Sequence, residues 1–215
     1  MAAKKQKSSA KSPKKAAGKP VSGVPAVKEV SLKERAVSAA LSLSATLGWD
    51  LITMTDIADE TGASLAELSD LFDDKGDILT AYGRMIDREM LKAAGTPDNS
   101  VSERDRLFDI IMTRFDVVNR DRAAVVSILH SFRADPKQAV ISLPHLGRSM
   151  AWVLEAAGIE ANGFKGAARL AGLTAVYVAV TREWLSDDSA DMAKTMAALD
   201  KNLERAERAA NFLSL

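Results

Sequence analysis

One stretch, residues 53–75, constrains the fold more than any other part of the chain. It contains two pairs with the spacing of a capping box: Thr53 with Asp56, and Ser64 with Glu67. In such a pair the hydroxyl and the carboxylate each satisfy a free backbone N–H group at a helix start. The pairs predict helices over Met54–Thr61 and Leu65–Phe72, with Gly62 allowing the tight turn between them. Two short helices joined in this way predict a helix-turn-helix.

The rest of the chain has helical periodicity. Apolar residues recur at three- and four-residue steps from residue 31 onward, and no run alternates with period two for long enough to predict a strand. Residues 95–100, G-T-P-D-N-S, form the clearest internal break. We therefore predict an all-α fold, with a helix-turn-helix domain over residues 31–95 and a second helical domain over residues 100–215.

Capping residues predict where the other helices begin. Ser31 and Asp74 open the first helix and the connecting helix, and Ser100, paired with Glu103, is expected to cap the helix after the break. The later helices are expected over 122–132, over a stretch that starts near Pro144 and carries residues 146–154, over 164–185, and from about 192 to the end.

Composition excludes several classes of function. The chain has no cysteine and two histidines, so we predict neither a disulfide nor a metal site. It contains no nucleophile elbow, phosphate-binding loop or dinucleotide fingerprint, so we predict a protein that is not an enzyme and uses no cofactor. No stretch approaches the roughly 20 apolar residues of a membrane span, and we expect a cytoplasmic protein.

The net charge of zero hides a basic N-terminus. Residues 1–28 carry eight lysines and no acidic residue, which leaves 21 of the 29 basic residues against all 29 acidic ones in the remainder. A segment of this composition cannot bury enough apolar surface to fold, so we predict a disordered lysine-rich tail over residues 1–30. Such a tail attracts nucleic acid or the surface of an anionic membrane, or serves as a solubilising leader.

The last two helices carry patterns that favour self-association. The helix over 164–185 is rich in alanine and glycine, which let helices approach closely, and the final helix has a heptad seam of apolar residues. Packing within one chain explains one such face, while two successive apolar helices favour a homodimer joined by four helices. The residues expected at that interface are Ala168, Ala171, Ala175, Met196, Leu199, Leu203 and Ala206.

Aromatic and polarisable side chains in the C-terminal half could line a pocket for a small apolar or lipid-like ligand. The same residues could equally form a packed core, which is the commoner role of buried aromatic side chains. The candidate pocket residues are Phe115, His145, Met150, Trp152, Tyr177 and Trp184.

Four segments of the N-terminal part share the pattern of a known family: A-V-S-A-A-L-S-L (36–43), G-W (48–49), T-M-T-D-I-A-D-E-T-G-A-S (53–64) and L-F-D-D-K-G-D-I-L (71–79). Their layout resembles that of the TetR/AcrR family of regulators. The resemblance implies an operator-binding helix-turn-helix, an effector pocket in the C-terminal half and a dimer formed by the last two helices. Mapped onto this sequence, it implies DNA contacts by Thr53, Thr55, Ser64, Leu65, Ala66, Ser69 and Lys75, with the lysine beside a phosphate.

The charge of this domain departs from that family pattern. Residues 31–95 contain six basic and twelve acidic residues. Family members usually carry lysine, glycine, threonine, tyrosine, arginine and histidine along the recognition helix, whereas this sequence has Leu65, Ala66 and Glu67 in the first three places. DNA affinity depends on neutralising phosphates, so an acidic surface disfavours it. The sequence thus predicts the shape of a DNA reader more strongly than its chemistry.

The C-terminal part has a second resemblance, to the coenzyme Q biosynthesis accessory proteins. The residues that carry it are R-S-M-A-W-V-L-E-A-A-G (148–158), A-V-Y (175–177), W-L-S-D-D-S (184–189) and T-M-A-A-L-D (195–200). That family shares the TetR architecture, and the resemblance implies a lipid-binding helper of ubiquinone synthesis with no DNA role. The leading hypothesis is a TetR-like regulator with a small apolar effector. The alternative is a lipid- or isoprenoid-binding accessory protein whose helix-turn-helix does not read DNA.

Overall fold

The computed structural model describes residues 1–2, 30–134 and 136–213. The lysine-rich tail predicted to be disordered lies outside the described residues except at its two ends, so that prediction stays a prediction. Residues 31–215 form one compact unit. The part of the chain that the structure describes contains nine α-helices: α1 (Leu32–Leu47), α2 (Met54–Thr61), α3 (Leu65–Ser69), α4 (Lys75–Ala94), α5 (Glu103–Arg120), α6 (Arg122–Ala134), α7 (Pro136–Ala156), α8 (Gly163–Leu185) and α9 (Ala193–Leu213). The predicted all-α fold is confirmed.

Local sequence signals explain the first helices. Ser31 caps α1 through a complete capping box with Glu34, and Gly48 ends it with φ 97°, a backbone conformation that glycine adopts most easily. Asp74 caps α4 by accepting hydrogen bonds from the Gly76 and Asp77 N–H groups at 2.6 and 3.2 Å. These starts agree with the predicted ones because each signal is a side chain acting on its own backbone.

Three predicted boundaries in the N- and C-terminal halves are wrong. The helix α3 ends at Ser69 rather than at Phe72, because the Leu71 and Phe72 N–H groups both turn back to the Leu68 carbonyl. The cap of α5 is Ser102, whose hydroxyl accepts from the Asp105 N–H at 3.1 Å. The predicted cap, Ser100, instead donates its hydroxyl to Asp98 at 2.7 Å.

The third error concerns α7, which begins eight residues before the predicted start and continues through Pro144. A proline inside a helix cannot donate to the carbonyl four residues earlier, which locally weakens the helix. Val140, Ile141 and Leu143 on this first part of α7 are about half exposed or more. The early turns of α7 therefore leave apolar side chains on the surface.

One continuous hydrophobic core runs through both predicted domains. It extends from Ile57 and Leu68 under the helix-turn-helix to Phe115, Trp184 and Leu199 in the C-terminal half. Helix α4 packs against α5 and α7, and α1 packs against α6, so the break at residues 95–100 separates two helices that contact each other. The Trp49 N–H also donates to Ser127 on α6 at 2.9 Å.

A buried carboxylate fixes the turn between α8 and α9. Asp187 is 2% exposed, and its two oxygens accept from the N–H and hydroxyl groups of both Ser189 and Thr195. Burial raises the pKa of this carboxyl group, but the four hydrogen bonds outweigh that effect and hold the pKa well below its usual range. Met192, just before α9, has φ 53°, which is rare for a residue with a side chain. The W-L-S-D-D-S run of the sequence is thus a structural turn.

Candidate nucleic-acid interface and ligand surfaces

Helices α2 and α3 both begin at complete capping boxes. The Thr53 hydroxyl accepts from the Asp56 N–H at 3.2 Å, and the Asp56 carboxylate accepts from the Thr53 N–H at 2.7 Å. Ser64 and Glu67 repeat this arrangement at 3.2 and 2.9 Å. These bonds lower the pKa of both carboxyl groups, chiefly through the Thr53 side chain at Asp56 and the Ser64 N–H at Glu67. Both helix starts are therefore fixed by ionised carboxylates.

The turn between the two helices depends on Gly62. Its backbone lies in the left-handed region, with φ 67° and ψ 22°, and its N–H donates to the last carbonyls of α2. The next residue, Ala63, donates to the Ala58 carbonyl at 3.0 Å. Leu68 on α3 is fully buried and holds that helix against the core. The backbone turn and the buried Leu68 side chain therefore fix the orientation of α3 relative to the core.

Helix α3 presents a short, mostly uncharged face to solvent. Leu65 is 49% exposed and Ala66 is also exposed, while the Ser69 hydroxyl donates to the Ala66 carbonyl at 2.8 Å. Glu67 and Asp70 border this face. The exposed residues among those expected to contact DNA are Thr53, Thr55, Ser64, Leu65, Ala66 and Ser69. Several of their hydroxyl groups already form hydrogen bonds at helix caps or to carbonyl groups. Each such oxygen still has a lone pair that can accept a hydrogen bond from a partner.

Lys75 is only partly exposed, unlike the six other residues expected to contact DNA. Its ammonium donates to the carbonyls of Trp49 and Ile52 at 2.9 and 2.7 Å and lies 5.2 Å from the centre of the Trp49 ring. Burial lowers the pKa of this lysine, and the nearby Asp50 and Asp56 partly oppose the effect. Lys75 therefore ties the loop before α2 to the start of α4, rather than standing free beside a phosphate.

Capping accounts for much of the acidic excess in this region. Asp56, Glu67 and Asp74 each cap a helix, and the Asp77 carboxylate accepts from the Asp73 N–H at 2.8 Å. Negative groups at helix N-termini are stabilising because of the helix dipole. The acidic composition thus has a folding role, although the charges remain at the surface.

The residues predicted to line a ligand pocket do not come together around one cavity. Phe115, Met150, Tyr177 and Trp184 are buried in the core, whereas His145 and Trp152 are exposed, the latter by 49%. The ring centroids of Phe115 and Tyr177 are 5.1 Å apart in a stacked arrangement, and those of Phe115 and Trp184 are 6.4 Å apart. These rings pack against one another, so the core interpretation accounts for the four buried residues.

A buried ion pair that the sequence analysis did not predict crosses this core. The Arg114 guanidinium, on a residue 5% exposed, forms an ion pair with Asp87 and donates to the Tyr177 hydroxyl at 3.2 Å. Ser149 donates its hydroxyl to the second Asp87 oxygen at 2.7 Å. Helices α4, α5, α7 and α8 are thereby joined by one polar network. The sequence signal was an arginine inside the apolar stripe of α5.

Two open clefts lie on the surface of the described residues, each with a volume of about 670 Å³. The first lies between α4 and α7 and is lined by Arg84, Asp87, Arg88, Leu91, Lys92, Arg148 and Trp152. The second lies between α7 and α8, where its lining includes Leu143, Leu170, Ala171, Ala175 and Val178. The first cleft is cationic and the second is apolar.

The predicted dimer residues divide into two groups. Ala171 and Ala175 on α8 are exposed, and Ala168 is half-buried, so α8 has a surface of small residues. Leu199 and Leu203 on α9 are 0% and 4% exposed, because they pack into the core of their own chain. These two leucines are therefore intramolecular contacts. Met196 and Ala206 are half-buried beside them.

This fold, with its exposed helix-turn-helix, is the architecture of the TetR-family transcriptional regulators. The chain is similar to the TetR transcriptional regulator from Nitrosomonas europaea ATCC 19718, with 23% identity, a TM-score of 0.67, and 83% of this chain and 99% of that chain covered. It is also similar to a TetR transcriptional regulator from Rhodococcus sp. RHA1, with 16% identity, a TM-score of 0.60, and 81% and 95% covered. These likenesses establish the fold.

The C-terminal region has a separate likeness in sequence. The COQ9 family model matches residues 139–210, which is about a third of the chain. This match confirms the predicted resemblance to the coenzyme Q accessory proteins over α7, α8 and α9. No curated protein matches the chain at a significant level.

Two other kinds of site are absent from the described residues. Across residues 1–2, 30–134 and 136–213, no group of His, Asp or Glu side chains has an arrangement that could hold a metal ion. Within those same ranges, no helix is both long and apolar enough to cross a membrane.

Proposed function

We propose that this chain is a DNA-binding transcriptional regulator with the TetR architecture. The observation that carries the proposal is the helix-turn-helix itself. Its two helix starts are fixed by capping boxes, Gly62 sets the turn, and Leu68 anchors α3 so that Leu65 and Ala66 face solvent. A mostly uncharged helix face of this kind fits apolar contacts with base edges in a major groove.

The proposal assigns DNA affinity and DNA specificity to different segments. The eight lysines of residues 1–28 supply the long-range attraction to phosphates, which the acidic body lacks. Uncharged contacts from α2 and α3 then supply the sequence preference. As a regulator the protein acts in the cytoplasm and catalyses no reaction. It binds DNA as a homodimer through the small-residue surface of α8, because paired half-sites require two helix-turn-helix units.

A binding titration tests this proposal. The protein and a variant lacking residues 1–28 are titrated against genomic fragments that include its own promoter, at several salt concentrations. We expect the full chain to prefer one fragment over random DNA. We expect the shortened variant to bind more weakly, with a smaller dependence on salt but the same preference.

A matched pair of substitutions makes the test specific to α3. Ala66→Glu places a negative charge on the exposed face of α3 and should weaken binding to the preferred fragment about tenfold or more. Ala93→Glu places the same charge on an exposed position near the end of α4 and should leave binding unchanged. Binding that ignores sequence and disappears with the tail would contradict the proposal.

A second function is favoured by the match of the COQ9 model to residues 139–210. The same region carries an apolar surface: Val140, Ile141, Leu143 and Phe164 are 64%, 50%, 49% and 86% exposed. A lipid- or isoprenoid-binding accessory role would use this surface and the apolar cleft between α7 and α8. The lysine-rich tail would then contact an anionic membrane surface rather than DNA.

Binding of a short-tailed quinone distinguishes the accessory role from the role of a DNA-binding regulator. We expect the wild-type chain to bind decylubiquinone in calorimetry if the accessory role holds, and Leu143→Asp to abolish that binding. Val101→Asp, at an exposed position before α5, is the control that should keep it. Equal binding by the two variants, or none by the wild type, would count against a lipid site at this cleft.

A further inference from the structure

The cleft between α4 and α7 has two opposed walls. Arg84, Arg88 and Lys92 recur every four residues along α4, so they form one row on that helix. Arg148 and Trp152 are also four residues apart and form the facing row on α7. Four of the seven lining residues are cationic, although the chain beyond residue 28 has more acidic than basic residues. This is a local positive potential on an acidic body.

The acidic groups near the cleft do not neutralise it. Asp87 lines the cleft, but its two carboxylate oxygens are taken by Arg114 and Ser149 on the core side. Arg88 is paired with Glu34 of α1 at 3.1 Å. The three other cations, Arg84, Lys92 and Arg148, make no hydrogen bond or ion pair with the part of the chain that the structure describes. Their donors are free to receive an anion.

The cleft also offers apolar contact. Trp152 is 49% exposed, whereas Trp49 and Trp184 are 7% and 0% exposed. A half-exposed indole beside guanidinium groups provides a flat surface on which a planar or apolar group can stack. Leu91 adds aliphatic surface to the α4 wall. The lining therefore combines three free cations with an aromatic face.

We propose that this cleft binds a soluble small molecule in which a phosphate group is attached to a planar apolar group. The phosphate would lie between Arg148 and the α4 cations, and the apolar group would lie on Trp152. A volume of about 670 Å³ is within the usual range for small-molecule sites. A compact anion can contact cationic side chains of both helices at once, and Trp152 beside them offers a contact to a planar group. The site does not depend on whether the chain reads DNA.

Calorimetry with the full chain tests the site, using 1-naphthyl phosphate as the probe. We expect saturable binding of 1-naphthyl phosphate, and at least tenfold weaker binding of both 1-naphthol and inorganic phosphate, since each lacks one half of the ligand. Arg148→Gln should weaken 1-naphthyl phosphate binding roughly tenfold. Arg205→Gln removes an exposed arginine from α9 and should leave the affinity unchanged.

Two further measurements, with a Trp152 variant and with lipid vesicles, identify what the cleft recognises. Trp152→Leu should weaken the binding of 1-naphthyl phosphate but not that of inorganic phosphate, and circular dichroism should show wild-type helix content for every variant. The proposal is overturned if the wild type gives no saturable binding, or if Arg148→Gln and Arg205→Gln bind equally. Sedimentation with phosphatidylglycerol vesicles that requires Arg148, without affinity for 1-naphthyl phosphate, would also overturn it, because the cations would then serve a lipid surface.

Discussion

Removing the Asp187 carboxylate should destabilise the whole fold, although Asp187 lines neither of the two clefts. In Asp187→Ala, the Thr195 N–H and hydroxyl lose acceptors that now lie 2.8 Å away, and Thr195 is fully buried. An unsatisfied buried donor costs about 1–3 kcal/mol, and the bonds to Ser189 are lost as well. We expect the free energy of unfolding to fall by about 3–4 kcal/mol. Asp187→Asn keeps one carbonyl oxygen and should cost about 2 kcal/mol.

Urea unfolding followed by tryptophan fluorescence measures this loss, because Trp184 is buried three residues before the carboxylate. Asp188→Ala is the matched control: its side chain is exposed, and it should change stability by less than about 0.5 kcal/mol. Because folding lowers the pKa of Asp187, its stabilisation is present at neutral pH and is lost as the pH falls through the acidic range. Asp187→Asn should therefore depend less on pH. Equal stability of the Asp187→Ala and Asp188→Ala variants would refute this account of the turn.

Two further substitutions probe the interior and the helix-turn-helix. Arg114→Met leaves Asp87 largely buried without its cation and should lower the free energy of unfolding in urea by about 3–5 kcal/mol. Adding Asp87→Asn to this variant should recover part of that loss. If the effects of the two substitutions were simply additive, the two residues would not be a coupled pair. Gly62→Ala should lower the free energy of unfolding by about 1 kcal/mol, measured by thermal unfolding. The added Cβ meets nothing within 4 Å, so the whole cost comes from the left-handed φ that alanine must adopt. Gly83→Ala, equally open but inside α4, should instead stabilise the chain, and the same sign for both would contradict this explanation.

Local capping signals made the N-terminal helices predictable. The starts of α1, α2 and α3 each depend on two side chains three residues apart, and the start of α4 depends on one. All of them bond to nearby N–H groups, so the sequence contains the whole interaction. The end of α3 was not predictable in this way. Phe72 continues the apolar spacing of α3 and is buried, but its backbone has already left the helix. Apolar periodicity reports which side is buried and does not report where a helix stops.

The site residues were harder to predict because their roles depend on distant partners. Lys75 bonds to carbonyls 23 and 26 residues away, and the Asp87–Arg114 pair spans 27 residues. An arginine inside the apolar stripe of α5 signals a buried charge but does not identify its partner, and the Lys75 contacts have no signature in the sequence. A buried aromatic residue such as Phe115 looks the same in sequence whether it lines a ligand pocket or fills a core. The structure distinguishes the two roles, because it shows the Phe115 ring stacked on another aromatic ring.

Helix α4 is the element that could link the proposed cleft to the helix-turn-helix. At its start Lys75 holds the loop before α2, and one-and-a-half turns before its end Arg88 pairs with Glu34 on α1. A phosphate in the cleft would compete with Glu34 for Arg88, since both are anions within reach of one guanidinium. The Arg88–Glu34 pair is exposed, so it is weak and easily exchanged. Ligand binding would then remove only this weak contact between α1 and α4, while the buried Asp87–Arg114 pair keeps α4 fixed to the core. We therefore expect any coupling between the cleft and the helix-turn-helix to be small, about 1 kcal/mol or less.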